Sequence, residues 1–179
     1  MQTMRAVDPA TATGKAKELL DFVMKRTGRI PNMVRLMANS PAALNACLGF
    51  AGALRDAKLS AETQELIAIA VAEANGCDYA LSAVSALGRS GGRSESDVVA
   101  ARHAHARDPK TTAALRFAAK VVETRGHVEA VDVAALREAG FSDGEVAEVI
   151  AVVVLNTYRS FFNLVARPEI DFPLVKARA

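Results

Sequence analysis

Helix-start signals recur along this chain so regularly that they leave little room for another fold class. Asp8-Pro9, Ser40-Pro41 and Asp108-Pro109 each set a capping side chain before a proline at the first helical position, where its missing N–H is no loss. Ser94-x-x-Asp97 and Ser142-x-x-Glu145 have the spacing of capping boxes, and Phe141 is placed to staple onto Val146. Gly28, Gly126 and Gly140 close apolar periodic stretches. Strand-type alternation, internal repeats and low-complexity stretches are not seen. The pattern predicts an all-α chain of roughly eight to ten helices.

Taken in order, the signals predict a helix from Asp8-Pro9 to about Arg26, and a short piece from Ile30-Pro31-Asn32 through Met37. Another is predicted from Pro41 to about Lys58, and one from Ser60 to an Asn75-Gly76 break. The next opens on Cys77, and a further one runs from Ser94 to about Ala106. The last three run from Pro109 to near Arg125, from Asp132 to Glu138 and from Asp143 to Val165. In the last of these, Val149 to Leu155 is apolar on every side, which predicts a place in the core or in a subunit interface. A short β-branched run also reads as a buried strand, but the caps and the length favour helix. Arg167-Pro168 stops it. The expected organisation is one domain over 1–179, with its core at about 41–166 and an extended tail over 167–179.

Composition narrows the function. The 179 residues carry a formal net charge of +2 with no basic stripe, unlike a nucleic-acid binder. Two distant cysteines make no disulfide framework and fit a reducing compartment. The N-terminus lacks a signal-peptide pattern, and no apolar run reaches the roughly 18 residues of a membrane span. A cytoplasmic protein with neither a nucleic-acid nor a membrane partner is expected. No phosphate loop, nucleotide fingerprint or zinc spacing is present, so no cofactor and no metal are expected.

The stretch Glu65 to Gly88 is where chemistry concentrates. Glu65 lies near the start of a strongly apolar helix, and Asn75-Gly76-Cys77-Asp78-Tyr79 sits at the following helix start. These residues resemble the carboxymuconolactone decarboxylase family, in its AhpD-like, peroxidase-related branch. The resemblance extends to Ser60-Ala61, Leu115-Arg116-Phe117, Glu123-Thr124-Arg125-Gly126-His127, and Leu155-Asn156, Phe162-Asn163 and Glu169-Ile170-Asp171-Phe172-Pro173. It implies an AhpD-like helical fold, a homo-oligomer, and an antioxidant alkylhydroperoxidase or a decarboxylase-type lyase.

The resemblance also implies a site made of a Glu, a Cys-x-x-Cys and a His four residues later. In that pattern the second cysteine attacks the peroxide and the first resolves it. Glu65 falls on the Glu and Cys77 on the first cysteine, but Ala80 stands at the second cysteine and Val84 at the histidine. The attacking thiol and its base are missing, so the disulfide-cycling peroxidase reaction is expected to be absent.

Each candidate also has an ordinary reading. Cys77 is either a low-pKa thiol at a helix start or a small buried residue kept for packing. Cys47 is a remote candidate for the missing partner thiol, since disulfide geometry is strict. Glu65 is a buried acid or base of raised pKa, or an exposed carboxylate near a helix N-terminus. Tyr79 either donates a hydrogen bond beside the site or is a half-buried structural residue. His103 and His105 are two apart on a predicted helix, point away from each other and read as part of a solvated basic segment. His127 reads as a capping or surface residue.

Four functions follow as expectations. The first is a diverged family member that binds a small apolar or carbonyl ligand beside Glu65 and Cys77. The second is a cofactor-free lyase or isomerase with Glu65 as base and Arg89 or Arg159 as carboxylate partner. The third is a one-cysteine thiol peroxidase through Cys77. The fourth is a structural role in a homo-oligomer.

Overall fold

Leu66 to Ala72 are buried on every side of their helix, and the rest of the molecule is built around that segment. The computed structural model describes residues 2–178. The helices are α1 (Gly14–Thr27), α2 (Asn32–Met37), α3 (Pro41–Ala53), α4 (Ala61–Ala74), α5 (Asp78–Ser90), α6 (Glu95–Arg102), α7 (Pro109–Glu123), α8 (Ala130–Glu138) and α9 (Asp143–Ala166). A 3-10 turn, Leu54–Asp56, follows α3. No strand occurs among the described residues. The fold is all-α, as the capping pattern predicts.

The α4 helix packs against α5, α6, α7 and α9. Ile67, Ile69 and Val71 are fully buried there, and each such side chain contributes about 1.5–3 kcal/mol relative to exposure. The predicted caps form. The hydroxyls of Ser40, Ser60, Ser94 and Ser142 each accept a backbone N–H three residues on, as does the Asp108 carboxylate. Both predicted capping boxes close. The Ser142 backbone N–H and side-chain O–H both donate to the Glu145 carboxyl and hold it down at about 2, with Lys110 adding a smaller pull.

Several boundaries differ from expectation for local reasons. The first helix begins at Gly14, since Asp8 caps only a tight turn and Gly14 adopts a left-handed φ of 57° that separates the turn from α1. The helix from Pro41 ends at Ala53 in the 3-10 turn, short of Lys58. The α6 helix stops at Arg102, and Ala104 turns left-handed (φ 51°). His103 and His105 therefore lie beyond the helix: His103 Nδ1 pairs with Arg178 at 2.6 Å, and His105 Nδ1 is 3.5 Å from Thr112 Oγ1. His127 is exposed.

The 24-residue α9 helix is the spine of the molecule. Val149, Val152, Val153 and Leu155 are buried, whereas Ile150 and Val154 face outward. The run is thus apolar all round but buried on one side only. By length and composition α9 is also the one described helix able to cross a membrane, although Glu148 and Asn156 confine its uninterrupted apolar run to Val149–Leu155. Its packing against α3, α4, α5, α7 and α8 is that of a core helix.

After the left-handed Arg167 the chain leaves helix and runs back as a strap along α5 and α4. Val175 exchanges hydrogen bonds with Ser82, the Ala177 N–H donates to Asp78 Oδ1, and the Arg178 N–H donates to Glu73 Oε1. Glu73 is buried and accepts charged hydrogen bonds from Arg102 (2.6 Å) and Arg178 (2.9 Å). Burial pushes its carboxyl up, but the two guanidinium groups more than offset this and hold it below its usual value. The hollow of about 450 Å³ over this cluster is lined by Glu73, Arg102 and Arg178, which already pair with one another, so it is the seam of the strap.

Candidate functional site

Three helices present the same spacing to one cleft. From α4 come Glu65, Ala68 and Ala72; from α5, Ala80, Ala83, Val84 and Leu87; from α9, Asn156, Arg159, Ser160 and Asn163. Residues at i, i+3, i+4 and i+7 share one helix face, so each helix offers the cleft a single stripe. An inner chamber of about 170 Å³ is closed by Met33, Tyr79 and Phe172, with Pro31 also on its wall. An outer chamber of about 240 Å³ reaches Glu65, Gln64, Leu54 and Ala51. Ala68, Val84, Leu87, Asn156 and Arg159 line both, so the two adjoin.

The α4 and α5 stripes are nearly all apolar, and α9 supplies the polar groups. Asn163 is 4% exposed, yet neither Nδ2 nor Oδ1 has a hydrogen-bond partner. The Arg159 Nε is likewise buried and unpaired, and its Nη1 only grazes Asn156 Oδ1 at 3.5 Å. Asn156 itself is occupied, donating to the Val152 carbonyl at 2.9 Å. The Ser160 hydroxyl lies near the Cys77 sulfur and eases its ionisation, but makes no hydrogen bond of normal geometry. A buried polar group left without a partner costs about 1–3 kcal/mol, so this concentration on one face calls for a reason beyond packing.

Cys77 is the N-cap of α5, after the turn in which Gly76 takes a φ of 61°. The thiol is 1% exposed and lines neither chamber. Burial pushes its pKa up; the N–H groups of Ala80 and Tyr79 pull it down, and Asp78 raises it again. The net shift is upward, so desolvation overrides the helix N-terminus. Cys77 is a small buried residue whose neutral thiol is favoured by burial. Cys47 is also buried and free, on α3, which shares no extensive interface with α5.

Glu65 is partly exposed, with its carboxylate 3.8 Å from Arg93 Nε at the outer rim of the cleft; Arg93 also pairs with Glu62. It does not sit on a buried face. Tyr79 is buried, its hydroxyl accepting the Met33 N–H at 3.0 Å and donating to Asp171 Oδ1 at 2.7 Å. Burial raises its pKa strongly, and Asp171 adds to the rise. Phe172 stacks edge-on against Tyr79 at 5.8 Å, and the Arg29 guanidinium lies 4.4 Å over Phe172. The strap thus closes the inner chamber.

Of the sequence candidates, the cleft brings together Glu65, Tyr79, Ala80, Val84 and Arg159, and leaves out Cys77 and Arg89. The latter pairs with Glu95 at 2.6 Å on the surface. Asn163 and Ser160 were not singled out as site residues. Their signal was present: Asn156, Arg159, Ser160 and Asn163 are polar residues at helical spacing in an otherwise apolar helix. Among the described residues, no group of three or more His, Cys, Asp or Glu converges on a metal position.

The model of the carboxymuconolactone decarboxylase family matches residues 41–124, which hold the α4–α5 half of this cleft. Among solved structures, the chain is similar to the alkylhydroperoxidase AhpD core of an uncharacterized peroxidase-related protein from Ralstonia eutropha JMP134, with 24% identity, a TM-score of 0.83 and 94% of this chain and 92% of that one covered. A peroxidase-related protein from Silicibacter sp. TM1040 aligns with 22% identity, a TM-score of 0.80 and 94% of each chain covered. A variant of the debrominase Bmp8, solved in complex with 2,3,4-tribromopyrrole, aligns with 17% identity, a TM-score of 0.77, and 96% and 92% coverage. No curated protein sequence matches the chain. The matched segment is similar to the carboxymuconolactone decarboxylase family, and the shared architecture gives the chain an AhpD-like fold.

Proposed function

We propose that this protein binds a small, largely apolar molecule in the α4–α5–α9 cleft and does not run the disulfide-cycling peroxidase reaction of that family. The observation that carries the reading is the unpaired polar face of Arg159 and Asn163, opposite a wall where Ala80 and Val84 replace the expected cysteine and histidine. Pockets for small molecules are typically apolar with a few convergent polar groups. The inner chamber, at about 170 Å³, is close to the roughly 150 Å³ that encloses one benzene ring. The debrominase neighbour in fold, solved with a single brominated ring, is consistent with a ligand of that size. The buried Cys77 weighs against one-cysteine peroxide reduction.

A second reading is supported by the outer chamber, where Glu65 and Arg159 share one cleft. There Glu65 is the base and Arg159 the carboxylate partner of a cofactor-free lyase or isomerase. An unchanged turnover in Glu65→Gln would eliminate it.

The homo-oligomer is part of the proposal as well. Ile150, Val154, Tyr158, Phe161 and Val165 are all exposed at three- and four-residue spacing on α9, forming an apolar stripe of the kind that marks an interface.

The binding reading is tested by titrating single-ring probes such as toluene and phenol, followed by calorimetry or amide chemical shifts. Ala83→Phe fills the inner chamber and is expected to abolish the shifts. Binding that survives Ala83→Phe would place the ligand elsewhere.

A further inference from the structure

We propose that the inner chamber selects its ligand by a cis N–H/C=O edge, the edge of a lactam or cyclic amide, read by the Asn163 carboxamide with Arg159 reinforcing the carbonyl side. The inference rests on the small-molecule reading of the cleft and names the ligand class within it.

The Asn163 side chain is buried to 4% exposure, and its donor and its acceptor are both unpaired. Whichever way the amide is turned, it offers the chamber one N–H and one C=O side by side. Only a ligand edge that carries the complementary pair satisfies both. A hydrocarbon leaves both dry. A carboxylate can accept from Asn163 Nδ2 and from Arg159, but it sets a negative oxygen against Asn163 Oδ1 with no proton between them. A lactam edge donates its N–H to Oδ1 and accepts from Nδ2 at its carbonyl. Arg159, one helical turn earlier on the same face, has a free buried Nε to give to that carbonyl. Of the remaining walls, Ala68, Ala72, Ala80, Ala83, Val84 and Phe172 offer no polar side-chain atom, Asn156 and Tyr79 already have partners, and Ser160 adds a single unpaired hydroxyl, so the rest of the ligand is a largely apolar ring. Size sets the scale. The inner chamber takes one ring, and the adjoining outer chamber of about 240 Å³ is the space for its substituents.

The test is calorimetric titration of the unaltered protein with 2-pyridone, 1-methyl-2-pyridone, benzoate and toluene, repeated with Asn163→Leu. The expected result is that 2-pyridone binds at least about tenfold more tightly than its N-methyl analogue, the scale of one buried hydrogen-bond pair. Asn163→Leu is expected to erase that difference while keeping toluene binding. Equal affinity for the two pyridones, or tighter binding of benzoate, overturns the inference but leaves the pocket reading intact. Failure of all four probes, toluene included, removes both. If Asn163→Leu does not fold, the pair of pyridones on the unaltered protein still decides.

Discussion

The Tyr79 hydroxyl donates to Asp171 Oδ1 at 2.7 Å, tying the start of α5 to the C-terminal strap 92 residues away. The same Asp171 receives the Arg29 guanidinium at 2.6 Å and the Asn32 N–H at 3.1 Å. A tyrosine that reads as a site residue is therefore a strut, and its proton is committed. Tyr79→Phe is expected to cost about 1–2 kcal/mol in urea unfolding, because it strands the Met33 N–H and removes one donor from Asp171. A variant as stable as the native chain would contradict the strut.

Glu73 anchors the other end of the strap. Removing it leaves two guanidinium groups without their buried partner, one of them half-exposed, so Glu73→Ala is expected to cost about 2–4 kcal/mol. The carboxyl titrates below its unfolded value, so its contribution is complete above the ordinary carboxylate range and is lost as pH falls through the lowered folded-state value. Acid titration of Glu73→Gln should therefore show a shallower loss of stability than the native chain. Parallel acid curves would show that Glu73 carries no such linkage.

The Cys77 thiol should behave as a buried group. Alkylation by iodoacetamide is expected to be slow in the native state, with an apparent pKa above that of free cysteine, and to accelerate in denaturant. Rapid alkylation at neutral pH would restore the reactive-thiol reading.

The exposed stripe on α9 gives a separate prediction. Phe161→Glu puts a charge in the middle of the apolar face and is expected to shift sedimentation toward monomer without lowering helicity. A native chain that already sediments as a monomer would remove the interface.

The helices were legible in the sequence because their ends are written locally: a serine or aspartate, a proline, a glutamate three residues on. What was not legible depends on tertiary context. The Cys77 position at a helix start is readable, but the burial that overrides it comes from the packed fold around it. Glu65 looks buried from its apolar neighbours Leu66 and Ile67, yet it falls on the rim facing Arg93. Arg159 was visible as a candidate, but no local signal distinguishes it from Arg89, which pairs with Glu95 instead. The α9 polar stripe was visible as spacing and gained meaning only once the α5 stripe was placed opposite it.

The most direct measurement is turnover of an organic hydroperoxide with a dithiol reductant, comparing the native chain with the Ala80→Cys/Val84→His double variant. The account predicts no native turnover above the free-thiol background and a gain of turnover in the double variant, as the restored pair cycles to a disulfide and the peroxide is reduced to alcohol and water. Native turnover at a rate well above free cysteine would contradict it, placing working redox chemistry on Cys77 or Cys47.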